Sequence, residues 1–212
     1  FLDGLRVQPR SSLTAERALQ SLAEEQGGLL TAKQAASLGY RSPHLAYHVR
    51  TGRLKQVQHG IYRLTTVPMS EHDQLIELTL WSRNRADEPQ ATVSHATALV
   101  VHGITDLLPG KVHLTVPPGF RKPPPPVCVL HRARLEEGDW EPRVGFRVTT
   151  PLRTLLDTWS DPVVTRLEFE KSLRRALVLG LVLRRDLVRT IDALPAEHAL
   201  RRALDELESE PQ

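Results

Sequence analysis

The chain has 212 residues, of which 40% are hydrophobic and 25% are charged, an ordinary composition for one or two globular domains with a real core. No apolar run approaches the roughly 20 residues that a membrane-spanning helix needs, so we expect no membrane association. Cys128 is the only cysteine, which excludes an internal disulfide and a cysteine-based zinc site and favours a cytoplasmic protein.

The net charge of +3 is distributed unevenly along the chain. Residues 1–66 contain nine Lys or Arg and four Asp or Glu, which gives this part a charge of +5. Residues 67–212 contain 19 basic and 21 acidic groups, which gives −2. A basic module followed by a near-neutral one predicts that the first module binds a polyanion.

Two helices are predicted at the start of the basic module. Thr14 has the side chain of an N-cap, the apolar residues that follow it share one helical face, and Gly27–Gly28 ends this first helix. Thr31 is the predicted N-cap of a second, shorter helix, which Gly39 stops.

A third helix and a hairpin complete the module. Ser42 is predicted to cap the third helix, with Pro43 at its first position, where a missing N–H group costs nothing. The segment "RLKQVQHGIYRL" then alternates as a two-stranded hairpin with Gly60 at its turn. Helix, helix, turn, helix and hairpin is the order of a winged helix-turn-helix, which we expect over residues 13–66.

No carboxylate occurs between Leu29 and Leu64, although these 36 residues contain six Lys or Arg and three His. At 100° per residue, Leu45 and Val49 share one face of the third helix. The opposite face carries His44, Tyr47, Arg50 and Thr51. A merely solvated face would ordinarily include acids, for solubility and for pairing with bases one turn away. Their absence favours contact with DNA.

The rest of the chain predicts a mixed domain. After a linker at 65–70, helical patterns cover 71–86 and 94–104, and alternating patterns predict strands at 111–116, 127–135 and 145–150. Further helices are predicted over 151–159, 163–180, 183–194 and 196–210. The predicted fold class is therefore α+β: an N-terminal winged helix-turn-helix followed, over 70–212, by a mixed α/β domain with a small sheet and flanking helices.

Taken together, these segments resemble a known family. "GLLTAKQAASLGYRSPHLAYHVRTGRLKQVQHGIYRL" is similar to the N-terminal winged-helix domain of AbiEi-type antitoxins, which belong to type IV toxin–antitoxin systems. The resemblance lies in the Gly-ended helix, the "S-x-x-L" opening, the "G-x-L" entry to the wing and the closing "G-I-Y-R-L". The family also has segments similar to two later ones in this chain, "VSHATALVVHGITDLLPGKVHLTVP" and "TTPLRTLLDTW". The resemblance therefore extends over about residues 14–205.

The resemblance implies two activities and two partners. The winged helix would bind an inverted repeat in double-stranded DNA at its own promoter and repress transcription. The second domain would counter a nucleotidyltransferase-like toxin without forming a stable complex with it. A homodimer is expected on DNA, because operators read by this geometry are usually two-fold.

The third helix supplies the first group of predicted DNA contacts. Recognition helices present their N-terminal residues to base edges. The guanidinium group of Arg41 can donate two hydrogen bonds, to O6 and N7 of a guanine. Three of these residues have an alternative to DNA contact. Ser42 could cap its own helix, Tyr47 could pack on the wing, and His48 could lie at the boundary of the core. The predicted contacts on this helix are Arg41, Ser42, His44, Tyr47, His48 and Arg50.

The wing and the second helix supply the remaining contacts. Lys33 and Gln34 open the second helix, where free N–H groups favour phosphate. The predicted contacts in the wing are Arg53, Lys55, Gln58, His59 and Arg63. With about five phosphates neutralised per protomer, the logarithm of the binding constant should fall with log salt at a slope of about −4 to −5.

No catalytic residue, metal site or cofactor is predicted. His95 and His102 lie on one helical face, but no third ligand has a suitable spacing. "EFEK" at 168–171 has the acid and lysine of some nuclease motifs, but it lies in a predicted helix rather than on a strand. No glycine-rich phosphate loop occurs.

Two other functions stay open at this point. One is a winged-helix transcription factor whose second domain senses a small ligand, which a buried polar pocket in that domain would favour. The other is an interaction protein whose second domain docks a toxin stably, which co-purification of the two proteins would favour.

Overall fold

The computed structural model describes residues 12–159 and 161–192. Its first elements confirm the order of a winged helix-turn-helix: three helices, a short strand between the first two, and a hairpin. Their bounds are α1 Ser12–Glu25, β1 Leu29–Thr31, α2 Ala32–Ser37, α3 Ser42–Arg50, β2 Leu54–Gln58 and β3 Ile61–Leu64.

The three strands form an antiparallel sheet in the order β1-β3-β2. Leu30 pairs with Tyr62 across β1 and β3, and Lys55 pairs with Arg63 across β2 and β3. The third strand is therefore central, and it contacts both α1 and the helix at Asp73–Trp81. The buried core under this sheet consists of Leu19, Ala23, Leu30, Ala35, Tyr40, Leu45, Leu54 and Leu64.

The two helices of the helix-turn-helix begin differently. Thr31 caps α2 as predicted, because its hydroxyl accepts a hydrogen bond from the backbone N–H of Gln34. The predicted cap of α3 is wrong: Arg41 lies at the N-cap position and Ser42 is already helical. No side chain caps α3, and Ser42 is exposed. Gly39 has a φ of +98°, a left-handed conformation that favours glycine at this turn.

The first compact unit continues beyond the wing. It comprises the described residues up to Pro89 together with 144–146, and includes the helix α4, Asp73–Trp81. This helix packs against β1 and β3 and buries Leu75, Ile76, Leu78, Thr79 and Leu80. The first unit thus extends about twenty residues beyond the boundary that the sequence suggests.

The second unit is a five-stranded sheet with helices. Its strands are β4 Thr92–Val93, β5 Val112–Val116, β6 Cys128–Arg132, β7 Trp140–Arg143 and β8 Phe146–Thr149, in the spatial order β6-β5-β4-β8-β7; the first residue of β8, Phe146, belongs to the first unit. The sheet is mixed, since β5 pairs parallel to β6 and antiparallel to β4. Its helices are α5 His95–Val101, α6 Pro151–Thr158, α7 Arg166–Val178 and α8 Arg184–Asp192.

The helices of the second unit share one apolar core. Phe169 and Leu173 of α7 pack with Leu99 of α5, Leu155 of α6 and Leu187 of α8. The 3-10 turn Glu137–Asp139 and the strand β7 occupy a segment that sequence patterns suggest only as a charged connection. The predicted helix at 196–210 lies outside the described residues. Within the described residues, none of the helices combines the length and the apolar character that crossing a bilayer requires.

Candidate DNA-binding surface

The outer face of α3 is polar and open to solvent. Leu45 is buried and Val49 half-buried, and these two side chains hold the helix on the core. On the other side Tyr47 is 53% exposed, and Arg50 beside it is also exposed. The helix projection therefore predicts which residues face outward.

Tyr47 and Arg50 form a small exposed group. The Arg50 guanidinium carbon lies 5.7 Å from the centre of the Tyr47 ring, within the range of a cation–π contact. Towards the start of the helix, Arg41, Ser42 and His44 are exposed. The His44 Nδ1 lies 3.3 Å from the Gly39 carbonyl oxygen. These five side chains give α3 a cationic, hydrogen-bonding outer face.

His48 has a different environment from its neighbours on α3. Its ring is half-buried, with its centre 5.4 Å from that of the buried Tyr40. Burial lowers the pKa of His48, and the positive charge of Arg53 lowers it further. His48 is therefore a neutral imidazole at physiological pH, at the boundary between the core and the surface.

The wing presents a second polar edge. Lys55 and His59 are exposed and Gln58 is half-exposed, while the Gln58 carbonyl accepts a 3.4 Å hydrogen bond from the Gln56 side chain. Gly60 at the tip has a φ of +75°, and no atom lies within 4 Å of where a Cβ would be. The tip is thus free of side-chain bulk, so that another molecule can approach its backbone.

Two of the predicted contacts are engaged by other parts of the first unit. Arg53 pairs with Glu16 of α1 at 2.6 Å. The Lys33 ammonium donates a 2.5 Å hydrogen bond to the Arg85 carbonyl oxygen. Both side chains remain at least partly exposed, but a carboxylate pairs the charge of Arg53, and a backbone carbonyl holds the ammonium of Lys33.

Two further predicted contacts, Gln34 and Arg63, are buried, so we correct their assignment to the DNA surface. The Gln34 side chain accepts a hydrogen bond from the Thr31 N–H at 2.9 Å and also bonds the amide of Gln26. Arg63 pairs with Asp73 of α4 at 2.6 Å and donates to the Gly27 carbonyl oxygen at 3.2 Å. The polar groups of both side chains are bonded to partners inside the first unit, so they cannot reach a duplex.

Three basic side chains of the acid-free segment remain available to an external anion. Arg41, Arg50 and Lys55 are exposed, and none of them forms an ion pair with a carboxylate of the described residues. We name the group Arg41, Ser42, His44, Tyr47, Arg50, Lys55 and His59 the α3–wing surface. Because Arg41 is predicted to contact a base, two phosphates are neutralised instead of five, and the expected salt slope falls to about −1.8 per protomer.

The role of Gln34 is directly testable. We expect Gln34→Ala to lower the free energy of unfolding by about 1–2 kcal/mol, because it removes the reciprocal bond of the α2 capping box and the hydrogen bonds to the buried Gln26 amide. Affinity for DNA, measured where the variant is fully folded, should not change. Urea unfolding and a fluorescence binding titration measure the two quantities. The exposed Gln56→Ala is the control and should stay within about 0.5 kcal/mol. A variant with unchanged stability and weaker DNA binding would contradict the burial of this side chain.

The two histidines that suggested a metal pair in the second unit do not share a site. His102 Nε2 lies 2.7 Å from the Thr149 carbonyl oxygen, whereas the His95 ring stacks on His131 at 3.5 Å between centres. His131 lies instead beside His113 and Asp161, and one ligand atom from each of these three falls within 4.8 Å of the others. Sequence spacing misses this cluster because its members lie on β5, on β6 and after α6.

Comparison with known proteins supports the assignment of the N-terminal fold. Residues 17–65 match a family described as "Transcriptional regulator, AbiEi antitoxin", which agrees with the resemblance found in the sequence. The fold is similar to the crystal structure of the RV2827C protein from Mycobacterium tuberculosis, with a TM-score of 0.50 and 18% identity over 88% of this chain and 73% of that one. A search of curated proteins gave no match.

Proposed function

We propose that this protein is a sequence-specific DNA-binding repressor that acts on its own promoter. The observation that carries this proposal is the α3–wing surface: exposed cations on the outer face of a helix and on the neighbouring hairpin, in a segment without a carboxylate. The match of residues 17–65 to a family of transcriptional regulators supports it. We further infer a cytoplasmic location and a regulatory rather than an enzymatic role.

In this proposal α3 enters the major groove. Its first residues face the base edges, where Arg41 donates two hydrogen bonds to a guanine and Ser42 donates or accepts one. Tyr47 and Arg50 lie along the groove wall, and Arg50 contacts a phosphate. Lys55 of the wing neutralises a second phosphate on the flank. Two protomers bind the two halves of an inverted repeat, and the occupied repeat blocks the promoter.

Base contacts and phosphate contacts should respond differently to mutation, and this difference can be tested. We expect Arg41→Ala to weaken binding to the upstream repeat by about 1–3 kcal/mol more than binding to a scrambled duplex. Lys55→Ala should weaken both equally, because a phosphate contact carries no sequence information. Gel shifts with the two duplexes at one fixed salt concentration measure this. Equal losses for Arg41→Ala on both duplexes would contradict a base-reading role.

We also propose that the protein is the antitoxin of a type IV pair. The description of the matching family supports this, and the matched segment is the N-terminal part only. The second unit would then relieve the effect of a nucleotidyltransferase-like toxin without binding it stably. Growth should recover when both proteins are induced from separate promoters, while the two should not co-purify. Failure to restore growth would remove the antitoxin role and leave the DNA-binding one.

One observation favours a second candidate function, a transcription factor that senses a ligand. The second unit contains a buried polar cluster of His113 and Asp161 with the half-buried His131. Polar side chains of this kind, gathered under a sheet, are a candidate ligand site. One measurement distinguishes the ligand sensor from the antitoxin. The operator affinity of a sensor changes when its ligand is added, with no second gene present.

A further inference from the structure

Two parallel strands bring two histidines together in the second unit. His113 of β5 is opposite Val129 of β6, and His131 of β6 is opposite Thr115 of β5. The two histidines are thus displaced by two residues in register and project from the same face of the sheet. As a result His113 Nδ1 lies 3.1 Å from His131 Nε2.

Asp161 completes the group from the segment that follows α6. Its backbone N–H donates to the Thr158 carbonyl oxygen, and its Oδ1 accepts a 3.0 Å hydrogen bond from the Val163 N–H. These contacts fix the carboxylate, and its Oδ2 lies 3.2 Å from His113 Nδ1. The side chains of His113 and Asp161 are only 4% and 1% exposed. Within the described residues Oδ2 has no hydrogen-bond donor of acceptable geometry.

A single proton serves three polar atoms poorly. His113 Nδ1 faces both His131 Nε2 and Asp161 Oδ2, yet a ring nitrogen carries at most one proton. If His113 carries it, that proton is shared between two acceptors in a three-centre hydrogen bond. If His131 donates instead, the Nδ1 lone pair faces the carboxylate at close range. A cation among the three atoms would contact a lone pair of each.

We propose that His113 Nδ1, His131 Nε2 and Asp161 Oδ2 bind a divalent transition-metal ion, for which Zn²⁺ is the reference probe. Zinc binds imidazole nitrogen and carboxylate oxygen at about 2.0–2.2 Å, so ligand atoms around a tetrahedral ion are separated by roughly 3.3 Å. Two of the three separations between ligand atoms, 3.1 and 3.2 Å, are close to this value, and the third is within 4.8 Å. Imidazole ligands favour zinc, copper, iron or nickel over magnesium and calcium.

A third histidine borders the proposed site. The His95 ring stacks on that of His131, with 3.5 Å between the ring centres. Its Nδ1 lies 2.9 Å from the Ser94 hydroxyl. Three protein ligands leave a fourth position, which in zinc enzymes holds water or a ligand.

Equilibrium dialysis of the full-length protein against Zn²⁺ tests the proposal without DNA, so its outcome is independent of the proposed regulation. We expect one equivalent bound per chain and a rise in the unfolding midpoint with Zn²⁺ concentration, because the ion binds only the folded state. Protein that binds no stoichiometric zinc would overturn the proposal.

Two variants locate the ion. Asp161→Asn and His131→Gln should each weaken Zn²⁺ binding by more than the roughly 10–100-fold that loss of an outer partner costs. His102→Gln is the matched control, since it removes a buried histidine of the same unit that lies outside the cluster. It should bind zinc like the parent protein. Equal zinc affinity in the control and in both cluster variants would overturn the assignment.

X-ray absorption on the zinc-loaded parent protein keeps the test decisive even if a variant does not fold. We expect nitrogen and oxygen ligands at about 2.0–2.1 Å, with the outer scattering of imidazole rings. A sulfur ligand at about 2.3 Å would place the ion on Cys128 and contradict the proposed ligand set. A shell of oxygen atoms alone would contradict it as well.

Discussion

Asp73→Ala should destabilise the protein by about 3–5 kcal/mol, because it removes the ion-pair partner of the buried Arg63 guanidinium in the first unit. The two side chains are only 8% and 15% exposed and lie 2.6 Å apart. Since a domain is typically stable by about 5–15 kcal/mol, this is a large fraction of the total. Urea unfolding monitored by circular dichroism measures the change.

Two further variants show whether the loss of stability comes from the broken ion pair. Glu71→Ala removes a neighbouring carboxylate that is 87% exposed, so it should shift stability by no more than about 0.5 kcal/mol. The double variant Arg63→Met/Asp73→Leu removes both charges and should recover most of the loss. An Asp73→Ala protein as stable as the control would mean that Arg63 is not buried as an ion pair, and would return it to the candidate DNA contacts.

The second large effect concerns affinity for DNA. The triple variant Arg41→Ala/Arg50→Ala/Lys55→Ala should bind the upstream repeat at least about 60-fold more weakly per protomer at 0.1 M salt, since the lost phosphate contacts of Arg50 and Lys55 each remove about 0.9 released counterions. Loss of the Arg41 base contact adds to this. For the parent protein, affinity should fall roughly 12-fold per protomer between 50 and 200 mM salt. For the triple variant the salt dependence should largely disappear. Fluorescence anisotropy titrations over this range give both numbers.

A matched triple variant controls for net charge alone. Arg134→Ala/Arg185→Ala/Arg189→Ala removes the same charge from highly exposed positions in the second unit. Its affinity and salt slope should stay close to those of the parent protein. Equal losses in the two triple variants would show that binding follows overall charge rather than the α3–wing surface.

Local signals in the sequence predict the elements of the first unit well. The glycines after α1 and α2 and the alternation around Gly60 mark the boundaries that the structure has. The spacing of Leu45 and Val49 identifies the inner face of α3, and Tyr47 and Arg50 are on the outer face as expected. These features depend on neighbours within one helical turn or one hairpin, which a sequence contains directly.

The roles of single polar residues depend on partners that are distant in the chain. Arg63 is buried because Asp73 of α4 lies beside it, and Arg53 is paired because Glu16 of α1 lies beside it. Neither acid belongs to the acid-free segment, so charge counting within that segment overestimates the cationic surface. Gln34 is a different case: "T-A-K-Q" is the signature of a reciprocal helix cap, which could have been recognised.

The histidine cluster shows the same limit in the second unit. "KVHLTV" and "VLHRA" each contain one histidine on a predicted strand. Only the parallel pairing of β5 with β6 and its register bring the two rings together. The third member, Asp161, follows a helix that is adjacent to neither strand in sequence. A search for ligands at short spacing therefore finds His95 and His102, which do not share a site.

The central claim is that the α3–wing surface lies against duplex DNA. Nuclear magnetic resonance of the ¹⁵N-labelled protein, titrated with its own upstream repeat, tests this most directly. The claim predicts that the largest shifts occur at the amides of Ser42, Tyr47, Arg50, Lys55 and His59, and that a scrambled duplex gives smaller shifts at these same amides. Shifts confined to other residues, or no shifts even in dilute salt, would contradict it.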